Sequence, residues 1–400
     1  MSQLILAGNA NLSQLVTEDW DLQLQEQGRQ GDIFSDLAGL YVEGSRTLPS
    51  AIVMQLPFRP GIYKHTIGLM LDLSGDGVNG RTDQEGSEED QDLKYFVAYS
   101  NDYSHAVNSQ QYGIDAHTKA AYKILERVTK QLGIWHKQKA GLKMRQALVE
   151  VVDDDLVVAP TSQTQGLNSN FFVKGADVET EQPVYDSTLT DYVDNLGDAA
   201  EIASVTDWDV QFMTSVKHQM TAVFEIEPYI DGRYAVTIPA FQSSPLTDVS
   251  ISGSLANLQR DTFVKEIASE AWNNGSYIGS VNGTDYFVDT AAPMMAFTGS
   301  TGSWTVATTY RKMGGTDDRP TSGTRYELGF GLGKSALVWA EHEPTHMEDD
   351  PQNYGKRKGI GAFRGAGANL LEFDIGTKTD TSRRNQNSCV LLTKRVARDA

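Results

Sequence analysis

From Leu48 to Tyr103 apolar and polar positions alternate, and from residue 115 onward they recur at helical spacing. Ile52-Val53-Met54, Phe58, the run Ile62 to Leu73, and Leu93-Lys94-Tyr95-Phe96-Val97-Ala98-Tyr99 read as strands bounded by Gly, Asp and Pro. The connection from Gly75 to Gln91 has no regular pattern and is longer than most loops inside compact domains, which marks it as functional or mobile. Residues 115–152 predict one long helix. Its apolar stripe runs through Ala121, Leu125, Val128, Leu132, Trp135, Leu142 and Val149, interrupted by Lys139 and Gln146. Asp115 is placed to cap its amino end. Gly133 and Gly141 are bend points, because an interior glycine costs about 1 kcal/mol relative to alanine.

The rest of the chain mixes both element types. Ala159 to Asn170 is rich in Pro, Thr, Gln, Ser and Asn and marks a boundary. Beyond it, Ser187–Leu196, Thr206–Val223 and Leu258–Asn273 predict helices. Tyr234–Ile238, Tyr286–Val288, Ser303–Thr309, Ala336–Trp339, Asn369–Phe373 and Ser388–Thr393 predict strands. Interleaving of this kind indicates an α+β fold. Residues 1–35 scatter Leu15, Val16, Trp20, Leu22 and Leu24 among polar residues and read as an extended arm that needs another surface to cover it.

Composition changes the picture in one direction. The chain carries 53 acidic against 34 basic residues, a formal charge of −19. That balance opposes dedicated nucleic-acid binding, whose affinity comes from Lys and Arg displacing counterions. It suits a protein kept soluble at high concentration, or a wall that must not adhere to DNA. Residues 119–145 run against the trend, with eight Lys and Arg and a single acid, Glu126. Cys389 is the only cysteine, so an intrachain disulfide and a cysteine zinc cluster are excluded. The amino terminus lacks a basic leader, and no apolar run has the roughly 18–20 residues of a membrane span, so the expectation is a soluble, non-secreted chain.

Four segments imitate catalytic or binding motifs. Asp72 to Asp83 places oxygen ligands as a calcium loop would, but Asn79 stands where an apolar residue belongs, Asp83 replaces the bidentate Glu, and strong flanking helices are missing. His342-Glu343-Pro344-Thr345-His346 copies the zinc-protease spacing, but that chemistry needs both imidazoles on one helical face and Pro344 breaks a helix, so a surface turn is expected. Gly329 to Ser335 resembles a phosphate loop with Leu328 where its first glycine should stand, and flexible backbone beside a buried strand is expected instead. Gly299-Ser300-Thr301-Gly302-Ser303 lacks the frame of a nucleophile elbow.

One ordered series is more telling. Gly77-Val78-Asn79-Gly80, Glu85-Gly86-Ser87-Glu88-Glu89 and Ser104-His105-Ala106-Val107 precede the helix with Ile134-Trp135. Arg260-Asp261 to Trp272 is followed by Gly279-Ser280-Val281-Asn282-Gly283; later come Leu328-Gly329, Ala336-Leu337-Val338, Asn353-Tyr354-Gly355-Lys356 and Ile360 to Gly365. This order resembles the major capsid proteins of schitovirus-type (enquatrovirus-like) podoviruses. The resemblance implies the Hong Kong 97-type fold: an amino-terminal arm at 1–35, an extended β loop with flanking strands at 36–105, a peripheral domain with its spine helix at 106–189, an axial domain at 190–340, and a return to the peripheral domain at 341–400. It also implies hexamers and pentamers of an icosahedral shell around double-stranded DNA, assembly in the host bacterial cytoplasm, and the partners such shells use: a scaffolding protein, a portal and a decoration protein.

On this reading the chain is not an enzyme and has no catalytic, cofactor or metal residues; a soluble cytosolic metal-dependent hydrolase built on His342 and His346, or on Asp72 to Asp83, is the alternative. The expected inter-subunit contacts are the acidic run Glu85, Glu88, Glu89, Asp90 and Asp92. Five acids in so short a run repel one another, and a basic partner makes the cluster tolerable. The basic helix, or Lys356, Arg357 and Lys358, supplies that partner.

Overall fold

The computed structural model describes residues 33–40, 50–70, 93–108, 114–152, 164–167, 171–173, 208, 210–240, 277–300, 303–309, 324–352, 357–373 and 385–394. The expected helices at Ser187–Leu196 and Leu258–Asn273, the acidic loop and most of the arm lie outside them.

In chain order the elements begin with α1 (Ile33–Asp36), β1 (Ala38–Leu40), β2 (Val53–Gln55), β3 (Lys64–Met70), β4 (Leu93–Tyr99), β5 (Asn101–Asn108) and α2 (Ile114–Val149). Then come β6 (Glu150–Val152), β7 (Thr164–Leu167), β8 (Phe171–Val173), α3 (Val210–His218), a π-helical turn (Gln219–Val223) and β9 (Tyr234–Pro239). The remainder is strand: β10 (Tyr277–Val281), β11 (Thr284–Asp289), β12 (Met294–Ser300), β13 (Ser303–Thr309), β14 (Thr324–Leu332), β15 (Leu337–Gln352), β16 (Arg357–Leu370), β17 (Glu372–Phe373), β18 (Asn385–Gln386) and β19 (Ser388–Lys394).

Two sheets organise these pieces. A five-stranded sheet has the order β1-β2-β15-β16-β5, and an eight-stranded sheet is centred on β14. On one edge β14 pairs with β12 and then β9; on the other it pairs with β19, which in turn pairs with β8. The strand at Ser388–Lys394 therefore joins the eight-stranded sheet, whereas Arg357–Leu370 joins the other, so the segment 341–400 divides between the two. The expected boundary passage also carries a strand, β7, paired with β6.

Pattern explains the interior of the larger sheet. β9 is buried at every position, being central in the sheet. Its Tyr234, Val236 and Ile238 face α3 and the π turn through Trp208, Phe212, Val216 and Met220, while Ala235 faces the core shared with α2 and the smaller sheet. The strand β14 has glycine at alternate positions for this packing. A Cβ at Gly329 would lie 2.5 Å from the Thr237 carbonyl oxygen, and one at Gly331 would lie 2.5 Å from Cys389 Sγ and 2.9 Å from Met220 Sδ. Gly329 to Leu332 of the phosphate-loop look-alike are thus buried strand whose glycines permit close approach, and Gly333 to Ser335 form the turn that follows it. The β10–β11 hairpin turns on Asn282 and Gly283, both at positive φ (51° and 78°), the geometry an Asn-Gly turn supplies.

The helix α2 spans 36 residues, roughly 54 Å at 1.5 Å per residue. Its buried ridge is Val128, Leu132, His136, Ala140, Met144 and Leu148, stepping by four residues throughout. The expected stripe is correct at Val128, Leu132 and Val149 but leaves out His136 and overstates Trp135 and Leu142, which are only half-buried. A ridge that steps by four rotates slowly around the helix, so it passes through a histidine that a polar-apolar count discards. Beneath it, β16 offers Ala362 and Ala366, both fully buried, which lets the helix lie close to the sheet.

Candidate functional site

The residues expected to form inter-subunit contacts are not brought together by the described structure. Glu85, Glu88, Glu89, Asp90, Asp92 and Lys356 lie outside the described residues. Arg357 and Lys358 open β16 opposite Gln352 and Pro351. The calcium-like segment from Asp72 to Asp83 also lies outside. Ser300 and Ser303 close the β12–β13 hairpin, so the nucleophile-elbow look-alike is a strand end rather than a strand-to-helix turn.

The structure instead concentrates chemistry on the two faces of the five-stranded sheet. One face lies under α2. There Arg364 is 8% exposed, its Nε donates to Glu341 Oε1 at 3.0 Å, and its guanidinium lies 5.2 Å over the Trp339 ring. Tyr103 stands opposite Arg364 in the ladder, and burial raises its phenol pKa. His136 packs against Tyr103 and Trp135, and burial, reinforced by the Arg364 charge, lowers its pKa to about 4. Lys143 donates to the Ala366 carbonyl at 2.8 Å and sits 4.3 Å from the Tyr103 ring. Burial, with Lys139 and Arg364 nearby, brings its pKa down to about 7. Two of the eight basic residues of this helix, Lys143 and Arg145, are therefore turned inward. Arg145 goes further and makes a two-point ion pair with Asp289 of β11, at 2.8 and 2.7 Å, tying the helix to the larger sheet.

The opposite face carries the hairpin β3–β4, paired from Lys64↔Tyr99 to Met70↔Leu93. The hairpin's root buries Ile67 and Ala98 against Met54, Leu56, Val338 and Ala340. Asn369 clamps the root through its Nδ2, which donates to the Tyr99 carbonyl at 2.8 Å, and its Oδ1, which accepts from the Tyr99 amide at 3.1 Å. His342 is the other fixture. Its Nδ1 is 2.7 Å from Ser100 Oγ, its Nε2 is 2.6 Å from Asp102 Oδ1, and its ring lies 4.3 Å from that of Tyr63. The segment His342 to His346 is not a turn: it runs within β15, with register shifts on both sides of Glu343. Pro344, which has no N–H for a ladder, sits exposed between Glu343 and His346, where the second shift falls.

Ser100, His342 and Asp102 form a chain in the order of an acyl-transfer triad. The serine, which would have to meet a substrate, is 6% exposed, whereas the Asp102 side chain is 58% exposed, the reverse of what that chemistry needs. Further out, Phe58, Ile62, Tyr63 and Tyr95 expose between 41% and 64% of their surface on and beside the hairpin. Sequence reading missed Ser100, Asp102, Arg364, Lys143, Arg145 and Asp289. Only His342 carried a local signal, and its meaning depended on whether it stood in a helix or a strand.

No family model and no curated protein sequence matches the chain. Solved structures do. The capsid of Ralstonia phage GP4 superposes with a TM-score of 0.60 at 14% identity, covering 93% of this chain and 93% of that one. The head structure of Helicobacter pylori bacteriophage KHP40 gives 0.57 at 10% identity over 90% and 91% of the two chains. The cyanophage Pam1 capsid gives 0.56 at 11% identity over 92% and 93%. Likeness over nearly the whole of each chain shows that this one adopts the Hong Kong 97-type phage capsid fold.

Proposed function

We propose that this chain is the major shell subunit of a tailed bacteriophage, closing into hexamers and pentamers of an icosahedral capsid around double-stranded DNA. The observation that carries the reading is the near-complete two-way coverage with the Ralstonia phage capsid. A protein that shared only a domain with a capsid would leave much of one chain unmatched. The geometry agrees in character. Among the described residues the buried charges find partners within the chain, and the exposed aromatics Phe58, Tyr63 and Tyr95 lie on and beside the β3–β4 hairpin, as expected for a subunit that works by contact.

In this proposal residues 1–35 are the arm, 36–105 the extended loop, 106–189 the peripheral domain with α2 as spine, 190–340 the axial domain, and 341–400 a return to the peripheral domain. Its last strand pairs into the larger sheet. A scaffolding protein, a portal and a decoration protein are the proposed partners, and the proposed location is the virion after assembly in the bacterial cytoplasm. The order of motifs from Gly77 to Trp135 supports the schitovirus-type branch. Glu85, Glu88, Glu89, Asp90 and Asp92 are proposed to meet basic residues of an adjacent subunit.

Electron microscopy of the purified, expressed chain tests the central claim. Closed shells or capsomer-sized rings are expected; a compact monomer at all concentrations would overturn it. The acidic contacts have their own test in Glu88→Lys with Glu89→Lys. Solvent screening keeps each exposed pair within about 1 kcal/mol, so the double variant should fold normally and form shells poorly. Normal shell yield across low and high salt would leave the acidic run as a solvated loop.

A further inference from the structure

We propose a divalent transition-metal site at the root of the hairpin, with His342 Nε2, Asp102 and Glu343 as ligands. It does not rest on the capsid reading, because every ligand comes from one chain.

The placement is built by three neighbouring strands. Glu343 of β15 stands opposite Gly365 of β16, and Gly365 stands opposite Asp102 of β5. The middle position has no side chain. A Cβ there would lie 2.2 Å from His342 Nε2, so the imidazole lies flat across the glycine and reaches the carboxylate on the far strand. Strict alternation along β15 would send His342 and Glu343 to opposite faces. The register shifts on either side of Glu343 cancel that alternation, and one ligand atom from each of Asp102, His342 and Glu343 falls within 4.8 Å of the others. His346 follows on the same side, its Nδ1 3.6 Å from Glu343 Oε1.

Hydrogen bonding sets the imidazole for coordination. The Ser100 hydroxyl lies 2.7 Å from His342 Nδ1 and 3.5 Å from the Tyr63 carbonyl, so it fixes the orientation of the ring through its remote nitrogen. The other ring nitrogen, Nε2, faces Asp102 Oδ1 at 2.6 Å. A hydrogen on Nε2 joins these two atoms in the metal-free chain, and a bound ion would take its place. A hydroxyl that fixes the remote ring nitrogen is the outer-shell arrangement metal-binding histidines use. Binding both atoms at about 2.0–2.2 Å opens them to about 3 Å, which the exposed Asp102 side chain accommodates by rotation. One imidazole with two carboxylates suits Zn²⁺ or Co²⁺ better than Ca²⁺ or Mg²⁺, which take oxygen ligands almost alone. An ion here would bind β5 to β15 across β16, beside Ser100, where the hairpin leaves the sheet.

The test is a Co²⁺ titration of the full chain after chelator treatment, read by visible absorption and by metal content, with Zn²⁺ displacement as a check. One ion per chain is expected, with the intense absorption of low-coordinate Co²⁺. His342→Gln should abolish it. Because that variant alters a buried residue, Asp102→Ala and Glu343→Ala remove exposed or half-exposed ligands from a chain whose folding is verified by circular dichroism, and each should lose the signal. Ser100→Ala should weaken binding roughly 10- to 100-fold, the usual cost of losing an outer-shell partner. A wild-type chain with no such spectrum at millimolar Co²⁺ would overturn the proposal. So would a spectrum that survives unchanged in Asp102→Ala and Glu343→Ala.

Discussion

On the helix side of the five-stranded sheet, Arg364 is 8% exposed and held by Glu341, Trp339 and Tyr103; on the hairpin side, His342 is equally enclosed but leans on Asp102, which is mostly in water. Both faces carry cations, carboxylates and aromatics. The helix closes its face with groups drawn from α2, β5, β15 and β16. The hairpin covers its face only at the root, so Asp102, Glu348 and the aromatics Tyr63 and Tyr95 remain open to another molecule. The first face fixes the fold, and the second is available for binding.

If that contrast is right, damage should scale with enclosure. The largest loss is expected from Arg364→Leu, which strands the Glu341 carboxylate in a low-dielectric pocket and should cost about 3–5 kcal/mol in denaturant unfolding. A loss below about 1 kcal/mol would show that water reaches Glu341 and that the helix face is not closed.

Acid should act on the helix side next. His136 is held to about 4, below its ordinary value of 6.5, because burial disfavours the imidazolium. Between those values the unfolded chain binds a proton that the folded chain refuses. Stability is therefore full above about pH 6.5 and falls as the pH drops toward 4, by up to about 3 kcal/mol. Unfolding midpoints measured across that window should show the slope, and His136→Phe should flatten it.

A smaller effect is expected from Trp135→Ala. Deleting a fully buried tryptophan costs 3–5 kcal/mol, but Trp135 stands at the flank of the helix ridge, stacked on His105 at 4.8 Å, and should cost about 2 kcal/mol. A loss in the full range would restore Trp135 to the ridge. The smallest belongs to the hairpin side: Asp102→Ala removes a carboxylate that is 58% exposed and should change stability by less than about 1 kcal/mol, because solvent already screens its pairing with His342. A larger loss would make the two faces alike.

What the chain determined alone was periodic. The strands Leu93–Tyr99 and Ser303–Thr309 are delimited by alternation to the residue, and the long helix is legible to within a few residues at each end. These patterns are local because backbone geometry repeats every two or 3.6 residues, and nothing distant is needed to read them. The order of motifs around that helix also pointed to the fold that the solved capsids share.

Tertiary structure decided everything that depends on a partner far along the chain. Arg145 and Asp289 are 144 residues apart, and His342 and Asp102 are 240 apart, so no window of sequence contains either pair. The same distance explains the misread motifs. Pro344 excludes a helix, but only the pairing of β15 with β16 turns that exclusion into a bulged strand, and only Gly365 on the neighbouring strand lets His342 lie down. The glycines of β14 suggest a loop until α3 and the π turn are packed against them. Local sequence specifies which backbone shapes are cheap, whereas the sites are set by which side chains the fold presses together.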